Sequence, residues 1–225
     1  ALMSILLVDC YLDKAGGAGS FLPYLPSETV VWHVSQGEAM PVISNISGVV
    51  ITGSAACVHD SDLWIETLFR FLSKMIVQEI PCFGICFGHQ ALAKVCGAEI
   101  GFLSIPEVGW KTVSCVEESP LWIGVSAEFK VFLSHRDVVL SLGDSLVCLA
   151  SSVECGVQAF QHKERPVWGI QFHPEMPVAE CLKLMEWRRK KHSDLVLDWA
   201  KEQGSIRSNA PLAQKFFDNF LALLV

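Results

Sequence analysis

Short apolar runs rich in β-branched residues recur through the first half of the chain, at residues 5–8, 29–32, 49–51 and 81–85. Between the third and the fourth run, apolar residues recur at helical spacing over residues 61–78. Runs of this kind, without alternating polar residues, are typical of strands buried on both faces of a parallel sheet. The alternation of strand and helix therefore predicts an α/β fold with right-handed crossovers.

The second half of the chain has a different pattern. Five strand candidates follow one another closely, with turn-prone Gly, Asp and Ser between them, at residues 107–116, 128–134, 145–150, 156–161 and 167–172. Closely spaced strands without intervening helices favour antiparallel pairing. We therefore expect a central, mostly parallel sheet that is mixed at one edge and flanked by helices.

The last fifty residues have helical patterns. One helix is expected to start near Pro177 and to stop by Gly204, and a final helix with several phenylalanines starts at about Pro211. We expect one domain over residues 1–225, with a helical C-terminal extension from about residue 177. This extension could complete the core or cover a partner.

Composition excludes several functions. Charged residues make up 18% of the chain, the net charge is -7, and the one short basic run, residues 188–191, is interpreted as a solvated helix face, so no nucleic-acid partner is expected. The nine cysteines are scattered and form no Cys-x-x-Cys pair, so neither a metal nor another cofactor is expected. The apolar run 5–8 is too short for a signal peptide or a membrane span, and a cytoplasmic protein without membrane contact is predicted. Composition does not indicate an oligomeric state.

The segment Gly-Ile-Cys-Phe-Gly-His-Gln at residues 84–90 follows a predicted strand and opens a predicted helix. Glycines stand two residues before and two residues after Cys86, as at a nucleophile elbow, where side chains at those positions would collide. A helix amino terminus also favours the reactive thiolate. The alternative is that Cys86 is one more buried thiol and that the glycines serve only close helix–sheet packing.

A thiol nucleophile needs a base, and the segment His173-Pro174-Glu175 can supply it. Pro174 disfavours the helical conformation at His173, so residues 173 and 175 can point the same way and the carboxylate can orient the imidazole. Either residue alone would be unremarkable. Together with Cys86, they indicate a catalytic triad.

The elbow at residues 84–90 and the His173-Pro174-Glu175 segment together resemble the Cys-His-Glu triad of the class I glutamine amidotransferases. The most similar members are stand-alone proteins that resemble the amidotransferase domain of GMP synthase. The resemblance implies a flavodoxin-like fold and hydrolysis of the glutamine side-chain amide through a γ-glutamyl thioester on Cys86.

The same resemblance implies further site residues. The backbone N–H groups of Gly53 and Phe87 would form an oxyanion hole. The residues expected to contact the substrate are Gln90, Ser54, Ser134, His135 and Asp137. Without the resemblance, residues 134–137 are interpreted as a loop after a strand, in which Asp137 caps a turn.

Three roles remain open at this stage. The chain could be a glutaminase subunit that passes ammonia to a synthase partner. It could also be a stand-alone hydrolase of γ-glutamyl peptides or amides. The non-enzymatic alternative is a binding or regulatory subunit with little turnover, although an intact triad argues against it.

Overall fold

One nine-stranded sheet and four α-helices account for most of the part of the chain that the computed structural model describes, residues 4–13, 17–42, 45–191 and 204–224. The strands are β1 (Ile5–Val8), β2 (Val30–Trp32), β3 (Gly48–Ile51), β4 (Cys82–Ile85), β5 (Glu99–Cys115), β6 (Glu128–Ser141), β7 (Leu146–Ser151), β8 (Ala159–His162) and β9 (Val167–Ile170). The helices are α1 (Leu63–Val77), α2 (Phe87–Val95), α3 (Val178–Lys191) and α4 (Ala210–Ala222).

The strand order is β2-β1-β3-β4-β9-β8-β7-β5-β6. The first five strands in this order pair in parallel, and the remaining pairs are antiparallel. The parallel part has the order of a flavodoxin-like sheet, with β9 in the fifth place. The predicted α/β class, with a mostly parallel sheet that is mixed at one edge, is confirmed.

The central strands are buried because helices cover both faces of the sheet. In β1, Ile5 and Leu7 belong to the apolar cluster that contains the phenylalanines of α4. Leu6 and Val8 point to the opposite face and belong to the cluster that contains α1 and α2. The continuous apolar runs of the sequence therefore reflect two cores, one on each face.

The C-terminal helix α4 completes the core. Phe216, Phe217 and Phe220 are fully buried, so of the two alternatives for the extension, the structure has the first. Helix α3 begins directly after Pro177, as predicted. The rest of the predicted helical stretch, residues 192–203, lies outside the described residues.

Two local predictions are wrong. Residues 134–137 are not a loop but lie inside β6, because this strand continues past the expected end and pairs with β5 across an irregularity between Phe102 and Glu107. Neither Asp60 nor Ser61 caps α1: the helix begins at Leu63, and the Asp60 carboxylate instead accepts a 2.8 Å hydrogen bond from a backbone N–H in the preceding turn. Among the described residues, no helix combines the length and the apolar character needed to cross a bilayer.

We predict that Phe217→Ala destabilises the protein by about 3–5 kcal/mol, the usual cost of truncating a buried phenylalanine. The Phe217 ring packs against Phe21, Tyr24 and Phe83, with centroid distances of 6.0, 5.4 and 5.8 Å. Denaturant unfolding measures the change. The matched control is Leu63→Ala, whose side chain is 79% exposed and should cost no more than about 0.5 kcal/mol. Equal effects of the two substitutions would contradict the assignment of α4 to the core.

Candidate active site

Cys86 occupies a strained turn between β4 and α2. Its backbone has φ 53° and ψ -104°, a conformation that costs a non-glycine residue about 1–3 kcal/mol. Its N–H donates to the Ile170 carbonyl of β9 at 2.8 Å, and its carbonyl accepts from the Gln90 N–H at 3.1 Å. The neighbouring strand and the first turn of α2 therefore hold the cysteine in this conformation.

The two glycines of the elbow have no room for a side chain. A Cβ on Gly84 would lie 2.4 Å from the Gly88 carbonyl carbon, and a Cβ on Gly88 would lie 2.5 Å from the Ile51 carbonyl oxygen. Both contacts are with backbone, which cannot move aside as a flexible side chain can. The glycines thus allow the helix to start directly against β3 and β4, and this close packing is what produces the turn at Cys86.

His173 and Glu175 form a buried pair beside the elbow. Nδ1 of His173 lies 2.8 Å from Oε1 of Glu175, and the two side chains are 4% and 0% exposed. The Cβ that Gly53 lacks would lie 3.1 Å from Cε1 of His173 and 3.6 Å from Cβ of Cys86, so His173 and Cys86 face each other across this glycine. The structure brings the three residues of the predicted triad together.

The surroundings of His173 favour its protonated form. Burial alone would lower the pKa of this imidazole, but the adjacent Cys86 and the Glu175 carboxylate outweigh burial and raise the pKa to about 10. A protonated imidazole beside a cysteine favours the thiolate, which is the nucleophilic form.

The two amides predicted to form the oxyanion hole flank Cys86. Phe87 is the first residue of α2, where a backbone N–H has no acceptor within the helix. Gly53 follows Thr52, whose carbonyl accepts from the Gly88 N–H at 3.1 Å and whose hydroxyl accepts from the Cys10 N–H at 2.9 Å. These hydrogen bonds fix the loop after β3 against the start of α2.

A polar cavity of about 190 Å³ opens on one side of Cys86. All five residues that the resemblance assigned to substrate contact line it: Ser54, Gln90, Ser134, His135 and Asp137. Cationic side chains of Arg136, Arg188 and Lys191 also line this cavity.

Two of these five residues use their nitrogen atoms within the protein. Nε2 of Gln90 donates to the Asp137 carbonyl at 2.9 Å and to the Gln171 side chain at 3.0 Å. The ring nitrogens of His135 lie 2.9 Å from Oε2 of Glu107 and 3.2 Å from the Asp137 carbonyl. Gln90 and His135 therefore hold the backbone at Asp137, which leaves the Asp137 carboxylate to face the cavity.

A second cavity, of about 310 Å³, lies on the other side of Cys86 and is mainly apolar. The side chains of Tyr11, Leu12, Met176, Leu184 and Trp187 line it. His173 lines this cavity but not the polar one. Groups released next to the imidazole would therefore leave through the apolar side.

Sequence reasoning missed several residues of the site. Tyr11 follows β1 by three positions, at the sheet edge where parallel strands deliver functional groups, and that position was a usable signal. Arg188 and Lys191 were interpreted as a solvated helix face, and this is wrong for Arg188, because the angle at which α3 crosses the site is not encoded in the local pattern.

A second group with cysteine, histidine and glutamate side chains lies away from the elbow. The possible ligand atoms of Glu107, His135 and Cys155 are within 4.8 Å of one another. Both oxygens of Glu107 already accept hydrogen bonds, from His135 and Gln158 on one side and from Ser152 on the other. We attribute this group to support of β6.

The fold and the site together define a class of α/β protein with a cysteine at a strand-to-helix elbow and an adjacent histidine–glutamate pair. The family model for class-I glutamine amidotransferases matches residues 24–180, and the chain belongs to this family.

Two relatives are named as glutamine-hydrolysing subunits of GMP synthase. The protein of Methanococcus aeolicus is 35% identical over 69% of this chain and 76% of its own length. The protein of Methanosphaera stadtmanae is 31% identical over 77% of this chain and 89% of its own length.

Solved structures share the fold. A glutamine amidotransferase of Thermotoga maritima superposes with a TM-score of 0.82 at 20% identity, covering 100% of this chain and 98% of that protein. A glutamine amidotransferase of Methylobacillus flagellatus gives a TM-score of 0.73 at 20% identity, covering 98% of this chain and 94% of that protein.

We predict that Gly88→Ala destabilises the protein by about 1–3 kcal/mol, because the added Cβ overpacks against the backbone of β3. The sign is informative, since alanine within a helix would otherwise stabilise by up to about 1 kcal/mol. Gly156→Ala is the control, because its Cβ would meet nothing within 4 Å. Denaturant unfolding compares the two variants, and a Gly88→Ala protein as stable as the control would contradict the tight elbow.

Proposed function

We propose that this protein hydrolyses the side-chain amide of glutamine to glutamate and ammonia through a γ-glutamyl thioester on Cys86. The observation that carries the proposal is the convergence of a strained Cys86 with the buried His173–Glu175 pair, between a polar and an apolar cavity. Membership of the class-I family supports the same chemistry.

In the first half-reaction, Sγ of Cys86 attacks the amide carbon, and the carbonyl oxygen becomes an oxyanion. The N–H groups of Gly53 and Phe87 donate to this oxygen, and one such donor typically contributes about 2.7–4 kcal/mol to transition-state stabilisation. The C–N bond then breaks, His173 donates its proton to the nitrogen, and ammonia leaves.

In the second half-reaction, water attacks the thioester carbon while His173 accepts a proton from it. The C–S bond breaks, glutamate is released, and Cys86 returns to the thiolate beside a protonated His173. Glu175 accepts a hydrogen bond from Nδ1 throughout, so it fixes the tautomer in which Nε2 serves Cys86 and stabilises the charged ring.

The substrate would bind with its α-amino acid end in the polar cavity. The Asp137 carboxylate offers an acceptor for the α-ammonium group, and Ser54 and Ser134 offer hydroxyl groups. Gln90 and His135 act indirectly, through the hydrogen bonds that hold Asp137.

The apolar cavity favours a second candidate, hydrolysis of γ-glutamyl amides whose amine is larger than ammonia. Its volume of about 310 Å³ is roughly ten times the 30 Å³ that one water-sized molecule occupies in a liquid. Because His173 lines this cavity, an amine that it protonates would leave into it.

The relatives' names, which describe subunits of a glutamine-hydrolysing synthase, support a further possibility for the ammonia. In that case, a synthase partner would dock at the mouth of the site and accept it. A partner of this kind would also organise the site, so its absence in an assay would lower turnover.

We predict that the purified protein releases glutamate from glutamine and that Cys86→Ala abolishes the release. The assay is glutamate formation over time, with γ-glutamyl-p-nitroanilide as a parallel substrate. Faster anilide cleavage would favour the second candidate. If neither substrate is turned over and Cys86 forms no adduct with either, the binding or regulatory alternative replaces the proposal.

A further inference from the structure

Arg188 lies in the last turn of α3, beyond residues 24–180 that the family model matches. Its guanidinium reaches back to β6, where Nε donates to the Ser134 hydroxyl and Nη2 to the Ser134 carbonyl, both at 3.2 Å. The family match therefore says nothing about this residue, although it is fixed against the site.

The position of Arg188 is central to the site. Together with Cys86, Ser54, Ala55 and Ser134, it lines both the polar and the apolar cavity. Its guanidinium carbon also lies 5.2 Å from the centre of the adjacent Trp187 ring, which restricts its movement.

Donor counting leaves capacity for a ligand. A guanidinium has five N–H donors, and the two bonds to Ser134 use two of them, so three remain. Two of these three are on Nη1, and the third is on Nη2. A planar fork of this kind matches a carboxylate, with which it can form two parallel hydrogen bonds.

The charges of the polar cavity complement an amino acid zwitterion. Asp137 supplies a negative charge, and Arg188 interacts electrostatically with both Asp137 and Cys86. Burial lowers the pKa of Arg188, and these two groups oppose the shift, so the guanidinium stays charged. An ammonium group at Asp137 and a carboxylate at Arg188 would satisfy both charges.

We propose that Arg188 binds the α-carboxylate of the γ-glutamyl substrate while Asp137 binds its α-ammonium group. The proposal rests on the proposed function and makes α3 the source of substrate specificity. Substrates without an α-carboxylate would be disfavoured, whatever amine occupies the apolar cavity.

The test uses protection of Cys86 against iodoacetamide, followed by mass spectrometry of the peptide that contains Cys86. L-glutamate and 4-aminobutanoate are the two protecting ligands, because they differ only in the α-carboxylate. Wild-type protein should be protected by much lower concentrations of glutamate than of 4-aminobutanoate. In Arg188→Met, the protecting concentration of glutamate should rise by roughly tenfold to a hundredfold, the usual range for a lost charged hydrogen bond, and that of 4-aminobutanoate should stay the same.

Arg189→Met is the matched control, because this neighbouring arginine is exposed and pairs with Glu186. It should leave protection by either ligand unchanged. Arg188→Lys keeps the charge without the fork and should give an intermediate loss, which also covers the case in which the methionine variant does not fold.

Several results would overturn the proposal. Equal protection by the two ligands in the wild type would remove the carboxylate site, and an equal loss for both ligands in Arg188→Met would mean that Arg188 acts only through Ser134. Slower alkylation in unliganded Arg188→Met, with the ligand ratio intact, would make Arg188 a partner of the thiolate instead. Glutamine turnover by the wild type separates these failures from failure of the proposed function, which would abolish turnover as well.

Discussion

The close contact between the start of α2 and the ends of β3 and β4 is the constraint on which the rest of the site depends. Gly84 and Gly88 allow backbone to meet backbone there, and Cys86 takes a positive φ as a result. The strain of about 1–3 kcal/mol is offset by packing that only this turn permits. Since Phe83 of β4 also packs on Phe217 and Phe220, the C-terminal helix supports the strand that presents the cysteine.

The site has two sides with different chemistry because different elements build them. The polar side is made by β6 and the loop after β3, and its charges suit the amino acid end of a γ-glutamyl compound. The apolar side is made by the loop after β1 and by α3, next to His173. Attack at Cys86 would therefore separate an acyl group held on one side from an amine released on the other.

Much of the fold could be predicted from the sequence because its local signals agree with the tertiary structure. The four apolar runs and the helical spacing of residues 61–78 became parallel strands and α1, since strands buried on both faces have no polar alternation. The elbow and the His173-Pro174-Glu175 segment were found for a similar reason, because sequence-local geometry largely determines them.

The sequence was less informative where long-range packing decides. The extension of β6 through His135 depends on the buried Glu107 carboxylate, 28 positions away, and on a bulge in β5 that no local pattern marks. Arg188 belongs to a basic run typical of a solvent-facing helix, and only the placement of α3 turns it towards Ser134. The apolar cavity combines residues from both ends of the chain, so no single segment predicts it.

Rapid quenching of the protein with saturating glutamine, followed by peptide mass spectrometry, tests the central claim most directly. The account predicts a γ-glutamyl group on the peptide that contains Cys86 while glutamate is being formed, and its loss on treatment with hydroxylamine. Glutamate formation without this adduct, or with the adduct on Cys155 of the second cysteine, histidine and glutamate group, would contradict it.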